Sequence, residues 1–393
     1  MSWKEEDRLL LYFCCRGIDQ RTKHKIVKAE MEGLDWDIFL EKARENGISP
    51  IVYSKLEDNK FNFLNIPSEI FEGLKEDYYL NVRKNTLIFE ELRKALKAFR
   101  ESGLQVMVLK GAALAEKVYG SIALRPMADI DLLVKKEDLK RLDEQLKMLG
   151  YQASDMLVDN IDFSSTYLTT LDYRSSSENS ISFHIHWHFV NSTIPSESYI
   201  KNIRMVNIWE NAEKIKVADV ETLVMAPHHL IIHLSEHALR VTHSLSKLSF
   251  LCDISEAVNY YKGRLDWDRL IKESLEFNLN RMVYLSLYFA SEFLEAQIPE
   301  DVLTRLKPKR FSLWEKIFMN AISNNNRFPG LSYLVHFSIN KGLLNKMKFI
   351  WRTFFPPRQF LAQRNYIPLS EVKFAHYLRR ANEVFSRFFK VLG

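Results

Sequence analysis

Two neighbouring stretches decide how this chain folds: Leu109-Lys110-Gly111-Ala112-Ala113-Leu114, and Arg125-Pro126-Met127-Ala128-Asp129-Ile130-Asp131-Leu132-Leu133-Val134. Residues i and i+2 of a β-strand point to the same side. Asp129 and Asp131 therefore place two carboxylates on one face, with Ile130 and Leu132 on the other. Carboxylates spaced about 6–7 Å along a strand suit a hard, oxygen-seeking cation such as Mg²⁺. Such an ion clamps nucleotide phosphates and stabilises an in-line displacement. Lys110-Gly111-Ala112, at a helix start, offers backbone N–H groups to phosphate. Lys110 and Arg125 add positive charge there.

Working outward, Gln105 to Leu109 reads as a strand between Gly103 and Gly111. Ala112 to Tyr119 reads as a short helix, Gly120 to Ala128 as a loop, and Asp129 to Val134 as a second strand. Glu137 to Leu149 is an amphipathic helix that stops at Gly150. Tyr167 to Tyr173 and Ile181 to Val190 are further strands. Helical patterns fill the rest, from the N-terminus to about residue 95 and again from about Val217. The sequence thus predicts an α+β protein: a small mixed-sheet core at 96–200, between an N-terminal helical region at 1–95 and a C-terminal helical domain at 201–393. Gly and Pro number only 12 and 11 in 393 residues, which disfavours turn-rich all-β folds.

The order strand, Gly-turn, short helix, Arg, Asp-x-Asp strand resembles the core of the DNA polymerase β-like nucleotidyltransferase superfamily. It is most similar to a large, uncharacterised bacterial nucleotidyltransferase family with a Leu-Lys-Gly turn and an Arg-x-Met-x-Asp-Ile-Asp-Leu-Leu-Val strand. The resemblance extends to the N-terminal helices, the later His-rich helix and the Asp of Cys252-Asp253-Ile254. It implies transfer of a nucleoside monophosphate from an NTP, with Mg²⁺ or Mn²⁺, to an acceptor that the sequence leaves open: a small molecule, sugar, peptide, protein or RNA. By the same resemblance, Asp129 and Asp131 match the metal pair, Gly111 the turn glycine, and Lys110 and Arg125 the basic positions.

The chain departs from that pattern at the third acidic position, on a later strand, where the family shows acid-x-His-Trp. Here the sequence is Phe183-His184-Ile185-His186-Trp187-His188-Phe189. His186 and Trp187 fit, and His184 stands where the acid belongs. Alternation predicts an apolar face of Phe183, Ile185, Trp187 and Phe189 opposite three histidines. His184 is then a metal ligand or general base, or part of a zinc site with His186, or only a polar-face residue of an impaired enzyme. His184 and His188 lie about 13 Å apart along a strand and do not share an ion. His233 and His237 have the i, i+4 helical metal spacing, but Glu236 directly precedes His237, so the metalloprotease motif is absent. Packing in the core is the simpler reading of that pair.

Three cysteines, Cys14, Cys15 and Cys252, rule out a disulfide framework and a cysteine-based zinc site, and point to the cytoplasm. No segment approaches the roughly 18 apolar residues of a membrane span. Charge is uneven: Lys341–Gly393 holds 11 Lys/Arg against Glu371 and Glu383, interleaved with aromatics. That suits an anionic partner, RNA or a membrane surface, or simply a solvated helical face. Two rival functions remain at this level. One is a toxin-type nucleotidyltransferase acting on tRNA; the other is a catalytically impaired NTP-binding or scaffold protein.

Overall fold

A computed structural model describes residues 3–15, 33–57, 64–153, 169–175, 181–190, 200–365 and 367–392. A seven-stranded mixed sheet lies at the centre, in the order β3-β4-β5-β2-β1-β7-β6. Its strands are β1 (Val106–Val108), β2 (Ile130–Val134), β3 (Tyr151–Ala153), β4 (Thr170–Ser175), β5 (Ser182–His186), β6 (Glu213–Val217) and β7 (Val220–Val224). β2 lies antiparallel to β1 and parallel to β5, and β4 runs antiparallel to β5. This is the mixed sheet that the sequence predicts, with three strands more: the edge strand β3 and the pair β6 and β7.

Two of the additional strands form the β6–β7 hairpin, where the sequence reading has helical signals returning from about Val217. Its turn residues Ala218 and Asp219 sit at φ +51° and +63°. Two consecutive positive φ angles match the twist of a hairpin, and Asn-Gly or Asp-Gly normally supplies them. Neither Ala218 nor Asp219 is a glycine or asparagine, so the turn is invisible in the sequence.

The alternation along β2 works as predicted because both sheet faces are covered, by different cores. Ile130, Leu132 and Val134 join Val106, Val108, Phe183 and Ile185 in one cluster. That cluster closes on Leu92, Leu96 and Phe99 of the helix Ser68–Glu101 and on Leu142 and Leu146 of the helix Leu139–Met148. Leu133, on the side of Asp131, joins the larger core of the helical body. Strict alternation ends at His186, where β5 stops. Trp187 falls in the first core and Phe189 in the second, so the single apolar face expected through Phe189 does not form.

The helix Ser68–Glu101 runs 34 residues, about 51 Å at 1.5 Å per residue. Ile70 and Leu74 near its start belong to the helical body, and Ile88 to Phe99 belong to the sheet core. Between them, Asn81 donates to the Ala123 carbonyl and Asn85 to the carbonyl of Arg125. The middle of this helix thereby fixes the loop that carries Arg125. Among the described residues, no helix is long and apolar enough to cross a membrane.

Candidate active site

The centre of the site is a row across three strands. Register places Asp172 of β4 beside His184 of β5, and His184 beside Asp131 of β2. Neighbours in register share a face, so the three side chains meet. His184 Nδ1 lies 3.2 Å from Asp131 Oδ1, and its Nε2 lies 3.6 Å from Asp172 Oδ1. His186 Nε2 lies 2.9 Å from the same Asp131 oxygen, and Lys110 Nζ donates to it at 2.7 Å. Three groups thus converge on Oδ1, and Oδ2 takes no hydrogen bond from any described residue.

Burial alone would raise the Asp131 carboxyl. Lys110 and the two imidazoles outweigh burial and hold it well below the usual range. Asp131 is therefore an anion, and only N–H can face it, so His186 carries its proton on Nε2. Burial, then the charge of His184, keeps His186 neutral. Asp129 behaves in the opposite way. Burial, then repulsion from Asp131, pushes its carboxyl up. It has no hydrogen-bond or ion-pair partner among the described residues. One carboxylate of the pair is satisfied by protein and the other is left to something else.

Asp129, Asp131, His184, Lys110, Gly111 and Arg125 all line one cleft of about 620 Å³ between the sheet and the helices. Asp131 and His184 of this cleft, with buried His186 behind them, form one potential ligand group whose ligand atoms lie within 4.8 Å of one another. Asp129 lines the same cleft but stands outside that group. Ala112 does not line it; its side chain is buried in the sheet core. A methyl group on Gly111 would lie 3.3 Å from Met127 Sδ and 3.4 Å from an Arg125 nitrogen, so only glycine fits without a shift.

The two predicted basic residues are already engaged. Lys110 is tied to Asp131. Arg125 forks onto Asp253 of the helix Leu248–Tyr260, at 2.8 and 2.7 Å, and Tyr119 donates to Asp253 as well. Burial works against the charged guanidinium, and Asp253 overcomes it, holding Arg125 above its ordinary value. Arg240, also on the cleft wall, forks onto buried Glu236. Lys84 and Lys247 are exposed on the same wall and have no acidic partner among the described residues. Sequence reading missed both; a lone surface lysine carries no signal until the fold places it. It missed Asp172 too, although Asp172 alternates with core residues Leu171 and Tyr173.

The other histidines separate into different roles. His188 lies past the end of β5, where its Nδ1 accepts from the Val190 N–H. It borders a second cleft of about 860 Å³, with Trp187, Trp209 and Lys135, which holds none of the predicted site residues. His233 is buried and its Nδ1–H donates to the Phe189 carbonyl at 2.8 Å; burial pushes it down to about 3. His237 is not a core residue. It lines the catalytic-side cleft, with its ring 4.4 Å from that of His243.

A glycine turn, a carboxylate pair and a cationic cleft on a mixed sheet define a protein of the nucleotidyltransferase class. Residues 32–295, more than half of the chain, match the uncharacterised nucleotidyltransferase family, and the chain belongs to it. No curated protein matches the sequence. Among solved structures, it is similar to the solution structure of the antibiotic-resistance factor ANT(2'')-Ia at 14% identity and TM-score 0.35, over 53% of this chain and 98% of that one. The crystal structure of ANT(2'')-Ia with adenylyl-2''-tobramycin is similar at 13% identity and TM-score 0.33, over 48% and 95%.

Proposed function

We propose that the cleft binds an NTP and transfers its nucleoside monophosphate to an acceptor, with pyrophosphate leaving. The observation that carries this reading is the gathering of Asp129, Asp131 and His184 with Lys110, Gly111 and Arg125 on one wall system. Five cationic side chains line the cleft (Lys84, Lys110, Arg125, Arg240 and Lys247); Asp131, Asp253 and Glu236 neutralise three of them, which leaves Lys84 and Lys247 against Asp129. That balance favours an anionic substrate.

The donor set fits a divalent cation at Asp129 and the unbonded Oδ2 of Asp131, with His184 as the third member. When bound, Mg²⁺ or Mn²⁺ would supply charge neutralisation at the transferred phosphoryl group. The remaining functions belong to the protein. Lys84 and Lys247 draw the triphosphate into the cleft. Lys110 and His186 fix the orientation of Asp131. The Arg125–Asp253 pair holds the loop wall against the helical body, and Gly111 leaves the room that Met127 and Arg125 fill as they close on it.

The position of His184 supports a second reading, a weakened catalyst that binds NTP. His184 occupies the row position where the family resemblance implies an acid, and Asp172 stands one strand further out. The test separates the two. Wild type is incubated with NTP labelled at the α-phosphate, with Mn²⁺ or Mg²⁺, across pools of RNA, proteins, sugars and small molecules. Metal-dependent labelling that is lost in Asp129→Asn supports transfer. Nucleotide binding without labelling of any pool supports the weakened catalyst. No metal-dependent NTP binding at all overturns both.

A further inference from the structure

The C-terminal segment carries a surface that the cleft does not use. The helix Leu343–Phe354 is anchored by Phe349, packed with Val241 and Tyr333, and by buried Thr353. Its other side is apolar as well, and open to solvent. Leu343, Met347, Ile350 and Trp351, at i, i+4, i+7 and i+8, are 74%, 58%, 46% and 63% exposed, and Leu344 beside them is 82% exposed. The helix Phe374–Leu392 repeats the pattern. Arg380 and Val384 turn inward, whereas Phe374, Leu378 and Phe385 are all more than half exposed. The Phe354 and Phe385 rings lie 4.9 Å apart, so the two stripes join into one face. A contiguous apolar face of this kind marks an interaction site.

Charge identifies the occupant. Not every basic residue here is available: Arg380 donates to the Tyr333 hydroxyl and the Thr353 carbonyl, and Arg364 pairs with Glu383. Lys341, Lys373 and Arg379 remain exposed on the same segment. Two copies of the chain meeting here would bring like charges together. RNA would offer the aliphatic Leu343, Leu344, Met347 and Ile350 nothing to stack on. An apolar stripe with a cationic border fits an acyl boundary beneath anionic headgroups. We propose that this face docks the protein onto an anionic lipid bilayer, lying in the interface without spanning it.

The test is flotation of the full chain with phosphatidylcholine vesicles, with and without phosphatidylserine. Two variants are compared: Leu344→Ser/Ile350→Ser/Trp351→Ser, and Lys341→Gln/Lys373→Gln/Arg379→Gln. All six positions are surface positions, so an unchanged thermal midpoint verifies that each variant folds. The expected result is salt-sensitive flotation with phosphatidylserine only, weakened roughly ten-fold or more by either variant. Failure of wild type to float at low salt overturns the proposal. So does flotation that the serine variant retains. Self-association without flotation, lost in the serine variant, would identify a second copy as the occupant instead. RNA binding without flotation, lost only in the glutamine variant, would identify RNA.

Discussion

Asp129 and Asp131 look equivalent in the sequence, yet removing their charges should have opposite effects on stability. Asp131 is 5% exposed and accepts from Lys110, itself 6% exposed. Breaking a buried pair by deleting one partner costs about 3–5 kcal/mol, because the other charge stays behind uncompensated. Asp131→Ala should lose that amount. Asp131→Asn keeps an acceptor oxygen and should lose about 1.5–3 kcal/mol, the worth of hydrogen bonds to a charged group. Asp129 has no partner among the described residues and is repelled by Asp131, so Asp129→Asn should stay within about 0.5 kcal/mol of wild type or gain slightly. Metal-free urea unfolding at pH 7, compared by midpoint at constant slope, measures all three. The pH dependence adds a second constraint. The folded Asp131 carboxyl lies below its unfolded value of about 3.9. Its contribution is complete above that value and is lost as pH falls through the folded one. The gap between wild type and Asp131→Asn should therefore be flat from roughly pH 5 to 8 and shrink below about pH 4. Equal losses at Asp129 and Asp131, or wild-type stability of Asp131→Ala, would refute the reasoning.

Three further outcomes follow from the cleft. Lys84→Ala and Lys247→Ala should each raise the KM for NTP roughly ten-fold with little change in kcat; an unchanged KM removes them from the phosphate path. Lys110→Met removes one of the three groups on Asp131 Oδ1 and a nearby positive charge, so calorimetric titration should show Mn²⁺ binding tighter than in wild type, and weaker binding contradicts the counter-ion role. Imidazole at the third position favours Mn²⁺ over Mg²⁺ in any activity. His184→Glu should improve Mg²⁺ use, whereas equal activity of wild type and His184→Ala with both metals excludes His184 as a ligand.

The elements that were legible in the sequence are those whose two faces meet different surroundings. Asp-Ile-Asp-Leu-Leu-Val could be read because Ile130 and Leu132 enter one core while Asp131 faces the cleft. Gly150, at φ +84°, ended its helix as expected. The β6–β7 hairpin was hidden because its turn lacks the residues that normally take positive φ. The partners of the charged groups were hidden for another reason. Arg125 and Asp253 lie 128 positions apart, and Lys110 reaches Asp131 only because β1 and β2 pair. A sequence shows which residues carry charge; only the fold shows which charges are already neutralised. On that ground the phosphate contacts move in our reading from Lys110 and Arg125 to Lys84 and Lys247. Burial likewise puts Asp131, read in the sequence as one of an equivalent pair, at the centre of a network.

The helix Ser68–Glu101 has a mechanical consequence. One end is embedded in each hydrophobic core, and Asn81 and Asn85 grip the cleft loop near its midpoint. A rod with both ends clamped cannot act as a hinge. Twisting one core against the other bends its continuous hydrogen-bonded backbone, a far stiffer mode than rotation about a loop. Such a strut keeps the Arg125 wall at constant distance from both cores, and the Arg125–Asp253 pair ties the helix Leu248–Tyr260 to that wall, so adjustment to different substrates falls to the exposed side chains of Lys84 and Lys247.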